Sequence, residues 1–445
     1  MELTPDFLKR MPKTDLHVHL DGSLRLSTIL ELAEEQGVEL PNGASTEEEL
    51  AEELHAGEVC HDLNDYLQAF DTTVSVLQTE EALYRAAFEL GEDAAKENVQ
   101  YLEVRYSPLL HTKEGLSFPV IVEAVAEGLR EAKRQYGVMS GQIICGIRHI
   151  TPESSLRLAE LCVAFKEKEV VAFDLAGAEV DNPPKDHREA FYLIRNNNVN
   201  LTIHAGEAYG PESIHQAIHL CGAHRIGHGV RLREDGDLLN YVNNHRIPLE
   251  ICLSSNVQTR ACKGFDSHPL PFYLSYGIRC TLNTDNRLIT DTTVTEEYQK
   301  AVDHYDLNVG DLRRLMINGF KSSFMPYRKK RTITARACSE FDTLVANFEE
   351  NQGERAIKDP NVAQEIALQQ MAADSRQPVE DISLDEYPPL SSREAGDEES
   401  GVTQSPTPER PHASSYQQSD STPGDSSSEG GPEGSDSNEV EEPAS

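Results

Sequence analysis

Positive charge is scarce in this 445-residue chain. Lys and Arg number 40 against 76 Asp and Glu, a formal net charge of -36. The deficit runs along the whole sequence. Residues 371–445 carry 18 acidic residues and 3 arginines, a net of -15, which leaves -21 on the first 370. Such a field repels nucleic acid, whose binders need basic patches to displace counterions, and it disfavours anionic membrane surfaces. Long apolar runs are also missing: no stretch approaches the roughly 18 residues of a membrane span. The opening MELTPDFLKRMPKTD lacks the apolar core and small-residue cleavage site of a secretory signal. No CxxC pair exists among the eight cysteines, which are scattered singly through apolar segments. In a chain of this length they read as thiols of a reducing compartment, not as a disulfide framework or a Cys-based metal site. A cytoplasmic protein is the expectation.

Composition divides the chain. Residues 1–345 alternate short β-branched or apolar runs with longer helical patterns, residues 346–376 read as a further helix or linker, and residues 377–445 are dominated by Ser, Pro, Gly, Glu and Asp. The last segment cannot bury enough apolar surface to offset its ordering entropy and is expected to be a disordered acidic tail, inert or partner-binding.

Eight strand-like runs punctuate the first part: 14–20, 99–106, 142–150, 170–176, 200–205, 225–230, 248–253 and 278–283. Strands alternating with helices imply parallel pairing, since each helical crossover returns the chain to the same sheet edge. Eight such units close an α/β structure, the (β/α)8 TIM-type barrel. The rival, a doubly wound open sheet, lacks a GxGxxG opening its first unit.

In such a barrel the chemistry sits at the C-terminal ends of the strands, and the polar residues of this sequence collect there. The first run ends His17-Val18-His19; two residues apart on a strand, both imidazoles face the same way and can meet one ion. His204 ends the fifth run and Asp285 follows the eighth, completing a nitrogen-rich set suited to one Zn2+. Glu207, three residues past His204, is placed to donate a proton. His228, between two glycines, is placed to accept one from an activated water. The fourth run ends Asp174-Leu175-Ala176-Gly177 without the lysine that bridges binuclear sites, so a single metal is expected. Gly177 leaves room for a flat ligand against its backbone.

These residues, in TDLHVHLDGS, EVRYSP, DLAG, HAGE, GHG, SSN and LNTDN, resemble the adenosine deaminases of the amidohydrolase superfamily over most of residues 8–345. The resemblance implies hydrolysis of the 6-amino group of a purine nucleoside, adenosine or 2'-deoxyadenosine, to give inosine or deoxyinosine and ammonia. It implies His17, His19, His204 and Asp285 as zinc ligands, with His19 also lining the substrate site. His228 becomes the group that orients and deprotonates the water, and Glu207 the acid that protonates purine N1. Gly177 would contact N3 and Asp21 the ribose 5'-hydroxyl. The segment 62–71 looks like the family's lid, with Leu63, Tyr66, Leu67 and Phe70 spaced for one helical face. One position departs: Asn286 and Arg287 stand where the vertebrate-type motif continues Asp-Pro, and Asn286 would donate to N7 through its amide. That departure keeps free adenine, or another modified adenine nucleoside, open as the substrate. A barrel retained only for partner binding is the reading from another class. Cytidine-type zinc deaminases are marked by PCxxC, absent here.

Overall fold

The computed structural model describes residues 3–55 and 60–351. Eight parallel strands form one sheet in the order β1 (Lys13–His19), β2 (Val99–Tyr106), β3 (Met139–Ile147), β4 (Val170–Ala176), β5 (Asn200–Ala205), β6 (Arg225–His228), β7 (Leu249–Ile251) and β8 (Cys280–Leu282). The expected barrel is therefore the observed one, and every expected strand has a counterpart. β3 differs most. It starts at Met139, because the preceding helix Phe118–Tyr136 stops on Gly137 in the left-handed conformation (φ 79°) and releases the chain directly into the sheet. It ends at Ile147; Arg148 N–H still donates to the Ala176 carbonyl at 2.9 Å as the chain turns away.

Closure comes from β1 and the residue after β8. Asp285 N–H donates to the His17 carbonyl at 2.8 Å, and His19 N–H donates to the Asp285 carbonyl at 2.7 Å, forming a parallel bridge between Val18 and Asp285. The seam of the barrel thus runs through three of the residues singled out for chemistry.

Helices occupy the crossovers for local reasons. Glu80–Lys96 starts on Thr79, whose hydroxyl accepts from Ala82 N–H at 3.1 Å, and it buries Leu83, Ala87, Leu90 and Ala94, the i, i+4, i+7, i+11 stripe. β2 is buried at all eight positions, as expected of a parallel strand covered on both faces.

The barrel interior below its C-terminal mouth is charged. Arg105 on β2 pairs with Asp174 on β4 at 2.8 Å and with Glu250 on β7 at 2.9 Å; Arg225 on β6 pairs with Glu250 at 2.5 Å and Glu103 at 2.6 Å. Thr202 donates its hydroxyl to Glu250 at 2.8 Å. All are buried. Breaking such a pair strands a buried charge at about 3–5 kcal/mol, so this layer fixes the strands that carry the mouth.

The final described helix is Tyr327–Asn351, so position 345 falls inside a continuous helix. The remainder of the expected 346–376 segment and the 377–445 tail lie outside the described residues. No helix among the described residues is long and apolar enough to cross a membrane. The eight cysteines are unpaired.

Candidate active site

Side chains from β1, β5, β6 and the β8 end meet at the barrel mouth. Ligating atoms of His17, His204, His228 and Asp285 all lie within 4.8 Å of one another, and all four residues are buried. His19 joins them: its Nε2 is 3.2 Å from His204 Nε2 and 3.3 Å from Asp285 Oδ1, while His17 Nε2 is 3.3 Å from the same oxygen. His228 and Asp285 hold positive φ, 62° and 63°. Non-glycine residues rarely adopt that conformation, and it collects at functional sites where the surrounding fold overrides its cost.

Two carboxylates orient the imidazoles from below. Glu250 Oε2 accepts from His17 Nδ1 at 2.8 Å, and Asp174 Oδ2 lies 3.1 Å from His204 Nδ1. With the proton held on Nδ1, each ring turns an Nε2 lone pair toward the common point. His17 Nε2 is buried without a hydrogen-bond partner, and His19 and His204 face each other nitrogen to nitrogen. Burial lowers the pKa of His19 and His204, which favours neutral, lone-pair-bearing rings. Ser255 donates to the other Asp285 oxygen, Oδ2, at 2.7 Å. Converging lone pairs with carboxylates behind them are what a tetrahedral or five-coordinate cation of the zinc type requires. The donor set fits one such ion.

Glu207 and His228 face each other beside this cluster, Oε2 and Nε2 3.5 Å apart. Burial, reinforced by the charges of Asp285 and Glu179, raises the Glu207 carboxyl well above its usual range, which favours its protonated form. Thr259 donates to its other oxygen at 3.0 Å. The backbone carrying Glu207 is clamped by Glu179. One Glu179 oxygen accepts from Gly206 N–H at 2.7 Å, and the other accepts from Glu207, Ala208 and Tyr209 N–H at 3.1, 2.7 and 2.8 Å.

A cavity of about 440 Å³ opens onto the mouth, lined by His19, Asp21, Leu67, Phe70 and Gly177 among others. Asp21 is 3% exposed, its Oδ1 has no partner, and burial raises its pKa to about 7. Gly177 has φ 98°, and a Cβ there would meet His149 Nδ1 at 2.8 Å, so a side chain is excluded twice over. The expected lid is the helix Leu63–Val76, which starts on Asp62, whose carboxylate accepts from Asn64 and Asp65 N–H at 2.7 and 3.0 Å. Its face divides. Leu67 and Phe70 reach the cavity, whereas Leu63 and Tyr66 pack with Cys60 and Ile289, a cluster that Phe70 also touches.

Asn286 is the position the structure treats most differently from the sequence. Its amide donates to Tyr66 Oη at 2.7 Å, Tyr66 shares a 2.6 Å hydrogen bond with Thr290, and Asn286 Oδ1 is left buried without a partner. Neither Asn286 nor Tyr66 lines the cavity.

Sequence reasoning did not single out Asp174, Glu250, Arg105, Glu179 or Thr259. The signal available was charge inside apolar strand runs: Asp174 within VVAFDLA and Glu250 within PLEICL have no solvent to face, and a buried carboxylate needs a partner.

Residues 12–339 match the adenosine deaminase family. The chain is 43% identical over 324 residues to a probable adenosine deaminase of Dictyostelium discoideum, the match covering 73% of this chain and 42% of that one. It is 42% identical over 347 residues to the adenosine deaminase of Mycobacterium avium, covering 73% of this chain and 94% of the relative. Among solved structures, the adenine deaminase of Arthrobacter aurescens superposes with a TM-score of 0.70 at 28% identity, covering 76% and 99% of the two chains. A matched span of this extent, carrying the buried imidazole and carboxylate cluster at the barrel mouth, places the chain in the adenosine deaminase family.

Proposed function

We propose that this protein hydrolyses the 6-amino group of adenosine and 2'-deoxyadenosine, releasing ammonia and leaving inosine or deoxyinosine. The observation that carries the reading is a buried Glu207 carboxyl set 3.5 Å from His228, beside a cluster of inward-facing imidazoles.

His17, His19, His204 and Asp285 would hold one Zn2+. Such an ion, when bound, supplies the positive charge that makes water nucleophilic near neutral pH. The remaining work belongs to the chain. Water adds to purine C6 while Glu207 gives its proton to N1, which relieves the negative charge pushed into the ring. The proton the water gives up passes to the 6-amino group, the C6–N6 bond breaks to release ammonia, and the C6 hydroxyl returns a proton to Glu207 as it becomes the C6 carbonyl. His228, with its Nε2 3.5 Å from Glu207, would face the attacking water. The Gly177 backbone lies against the purine face, and Asp21, a buried carboxyl with an unpartnered oxygen, receives the ribose 5'-hydroxyl. Leu67 and Phe70 cover the substrate and exclude water.

The buried Asp21 carboxyl favours a nucleoside over a nucleotide and over a free base. A buried Asp21 opposes a phosphate at the sugar end, and free adenine would leave that carboxyl facing an empty cavity. Free adenine is the second reading, because of the structural likeness to an adenine deaminase. Under either reading the unpaired cysteines fit a reducing, cytoplasmic setting.

The test is ammonia release from adenosine, adenine and AMP by the purified full-length protein, before and after chelation and with zinc added back. Turnover of adenosine that is lost on chelation and restored by zinc is the expected result. Turnover of adenine equal to or above that of adenosine overturns the nucleoside assignment. No turnover of any aminopurine by the zinc-loaded protein overturns the enzyme reading.

A further inference from the structure

One polar chain reaches the site from outside the cluster that holds the ion and the substrate. It begins at a backbone N–H on the helix Leu270–Tyr276 and ends at His228, and every link has a determinate direction. Leu270 N–H donates to His268 Nδ1 at 3.0 Å. A backbone N–H is always a donor, so His268 Nδ1 is always an acceptor, and the single proton of its neutral ring sits on Nε2. The ring is neutral because it is 4% exposed and burial lowers its pKa to about 3.

His268 Nε2–H lies 3.2 Å from Asn256 Oδ1. The orientation of the Asn256 amide follows: its oxygen turns to His268, so its NH2 turns the other way. There Asn256 Nδ2 is 2.9 Å from His228 Nδ1. An amide NH2 can only donate. His228 Nδ1 is therefore the acceptor, and the proton of the neutral His228 ring is on Nε2, the nitrogen that faces the site and lies 3.5 Å from Glu207.

We infer that Asn256 and His268 are positioning residues that lock His228 as its Nε2–H tautomer. His228 thereby presents a hydrogen-bond donor, not a lone pair, to the nucleophile in the resting site. Its catalytic consequence rests on the hydrolytic reading above, while the tautomer itself does not. A ring that already carries a proton on its inward nitrogen cannot begin the reaction by taking one there. It orients the attacking oxygen and stabilises negative charge on it, and the proton that oxygen gives up passes to the leaving 6-amino group, not to His228 as the sequence resemblance implied.

The arrangement also sets His228 apart from the two histidines beside it. His17 and His204 give Nδ1–H to carboxylates and turn lone pairs inward, whereas His228 receives an N–H at Nδ1 and turns a proton inward. Three rings with centroids 4.5–5.2 Å apart thus divide into two ligands and one donor by what stands behind each. The four atoms within 4.8 Å of one another do not make that distinction; the hydrogen bonds do.

The decisive experiment is a long-range proton–nitrogen NMR correlation on the full-length protein as purified, labelled with 15N-histidine, near pH 7.5. His228→Gln serves only to assign the His228 signals by their disappearance. The expected wild-type pattern is an unprotonated Nδ1 and a protonated Nε2. Protonation of Nδ1, alone or together with Nε2, overturns the inference with no reference to activity. A second arm uses Asn256→Asp, whose carboxylate accepts where the amide donated. This variant should move the His228 proton to Nδ1 and lower kcat roughly 10- to 100-fold, with KM nearly unchanged. An unaltered tautomer in a folded variant overturns the inference. If Asn256→Asp does not fold, the wild-type spectrum decides alone. A wild-type protein that shows the Nε2–H pattern but releases no ammonia separates failure of the hydrolytic reading from failure of this one.

Discussion

Asp174 holds His204 by its back. Nδ1 of His204 lies 3.1 Å from one Asp174 oxygen and 3.2 Å from the other, while Arg105 donates to the Oδ2 atom of the same carboxylate at 2.8 Å. The contact is buried on both sides and spans β4 and β5. Its consequence is a tautomer. A carboxylate can only accept, so the His204 proton is drawn to Nδ1 and the Nε2 lone pair is left facing the mouth.

Asp174→Asn tests that relationship. Asn keeps one oxygen for Arg105 and places an NH2 against His204 Nδ1, which forces the imidazole proton to the inward nitrogen. Zinc affinity, measured by competition with a chromophoric chelator, should fall roughly 10- to 100-fold. Unchanged affinity in a variant with wild-type circular dichroism would remove His204 from the ion site.

Glu207→Gln addresses proton donation. The amide is isosteric and neutral, as is the protonated acid it replaces, so metal content and the fold should be retained. Thr259 keeps an oxygen to donate to. What disappears is a transferable proton near purine N1. We expect kcat to fall by about 10²–10⁴ with KM changed only a few-fold, read by steady-state ammonia release. A kcat within twofold of wild type would assign the acid elsewhere.

Much of this arrangement was legible in the sequence, for a physical reason. Strand-forming runs are local, and the two-residue repeat that puts His17 and His19 on one face needs no tertiary information, whereas Asp21 lies in the turn beyond the strand. The C-terminal ends of the runs then locate His204, His228 and Asp285 once eight of them are counted. What stayed hidden is long-range. Glu250 meets His17 across 233 positions, Thr259 meets Glu207 across 52, and Glu179 reaches the Gly206–Tyr209 backbone from the preceding loop. No spacing rule encodes those meetings. Asn286 has a further partner that the sequence did not show. One hydrogen of its amide is donated to Tyr66, on a helix more than 200 residues away, and the second remains for another acceptor.

Gly22→Ala should disturb that same Asn286 contact. A Cβ at Gly22 would fall 1.9 Å from Asn286 Oδ1 and 2.6 Å from its Cγ, so the amide must move and release Tyr66. Overpacking of this kind costs about 1–3 kcal/mol, measured by urea unfolding. Combining it with Asn286→Ala should recover part of the loss, because the two closest clashing atoms are gone and only the Cβ contact at 2.9 Å remains. Strict additivity in that double-mutant cycle would show that the two residues are not coupled.

His111 supplies a pH dependence remote from the ion site. It is fully buried in the 3-10 turn Pro108–His111 and gives Nδ1–H to the Leu77 carbonyl at 3.0 Å. Burial lowers its pKa from 6.5 to about 4. Between those values the unfolded chain binds a proton that the folded chain refuses, so stability is highest above pH 6.5 and declines as pH falls toward 4. The full depression corresponds to about 3 kcal/mol, at 1.36 kcal/mol per pKa unit. His111→Asn retains a donor at the Nδ1 position and removes the titration. The variant's unfolding free energy should therefore fall less steeply than wild type from pH 6.5 to 4, by up to about 3 kcal/mol, in urea titrations at fixed ionic strength. Parallel curves for the two proteins would mean that His111 stays neutral in both states, or charged in both, and that acid destabilisation of this fold arises from other buried groups.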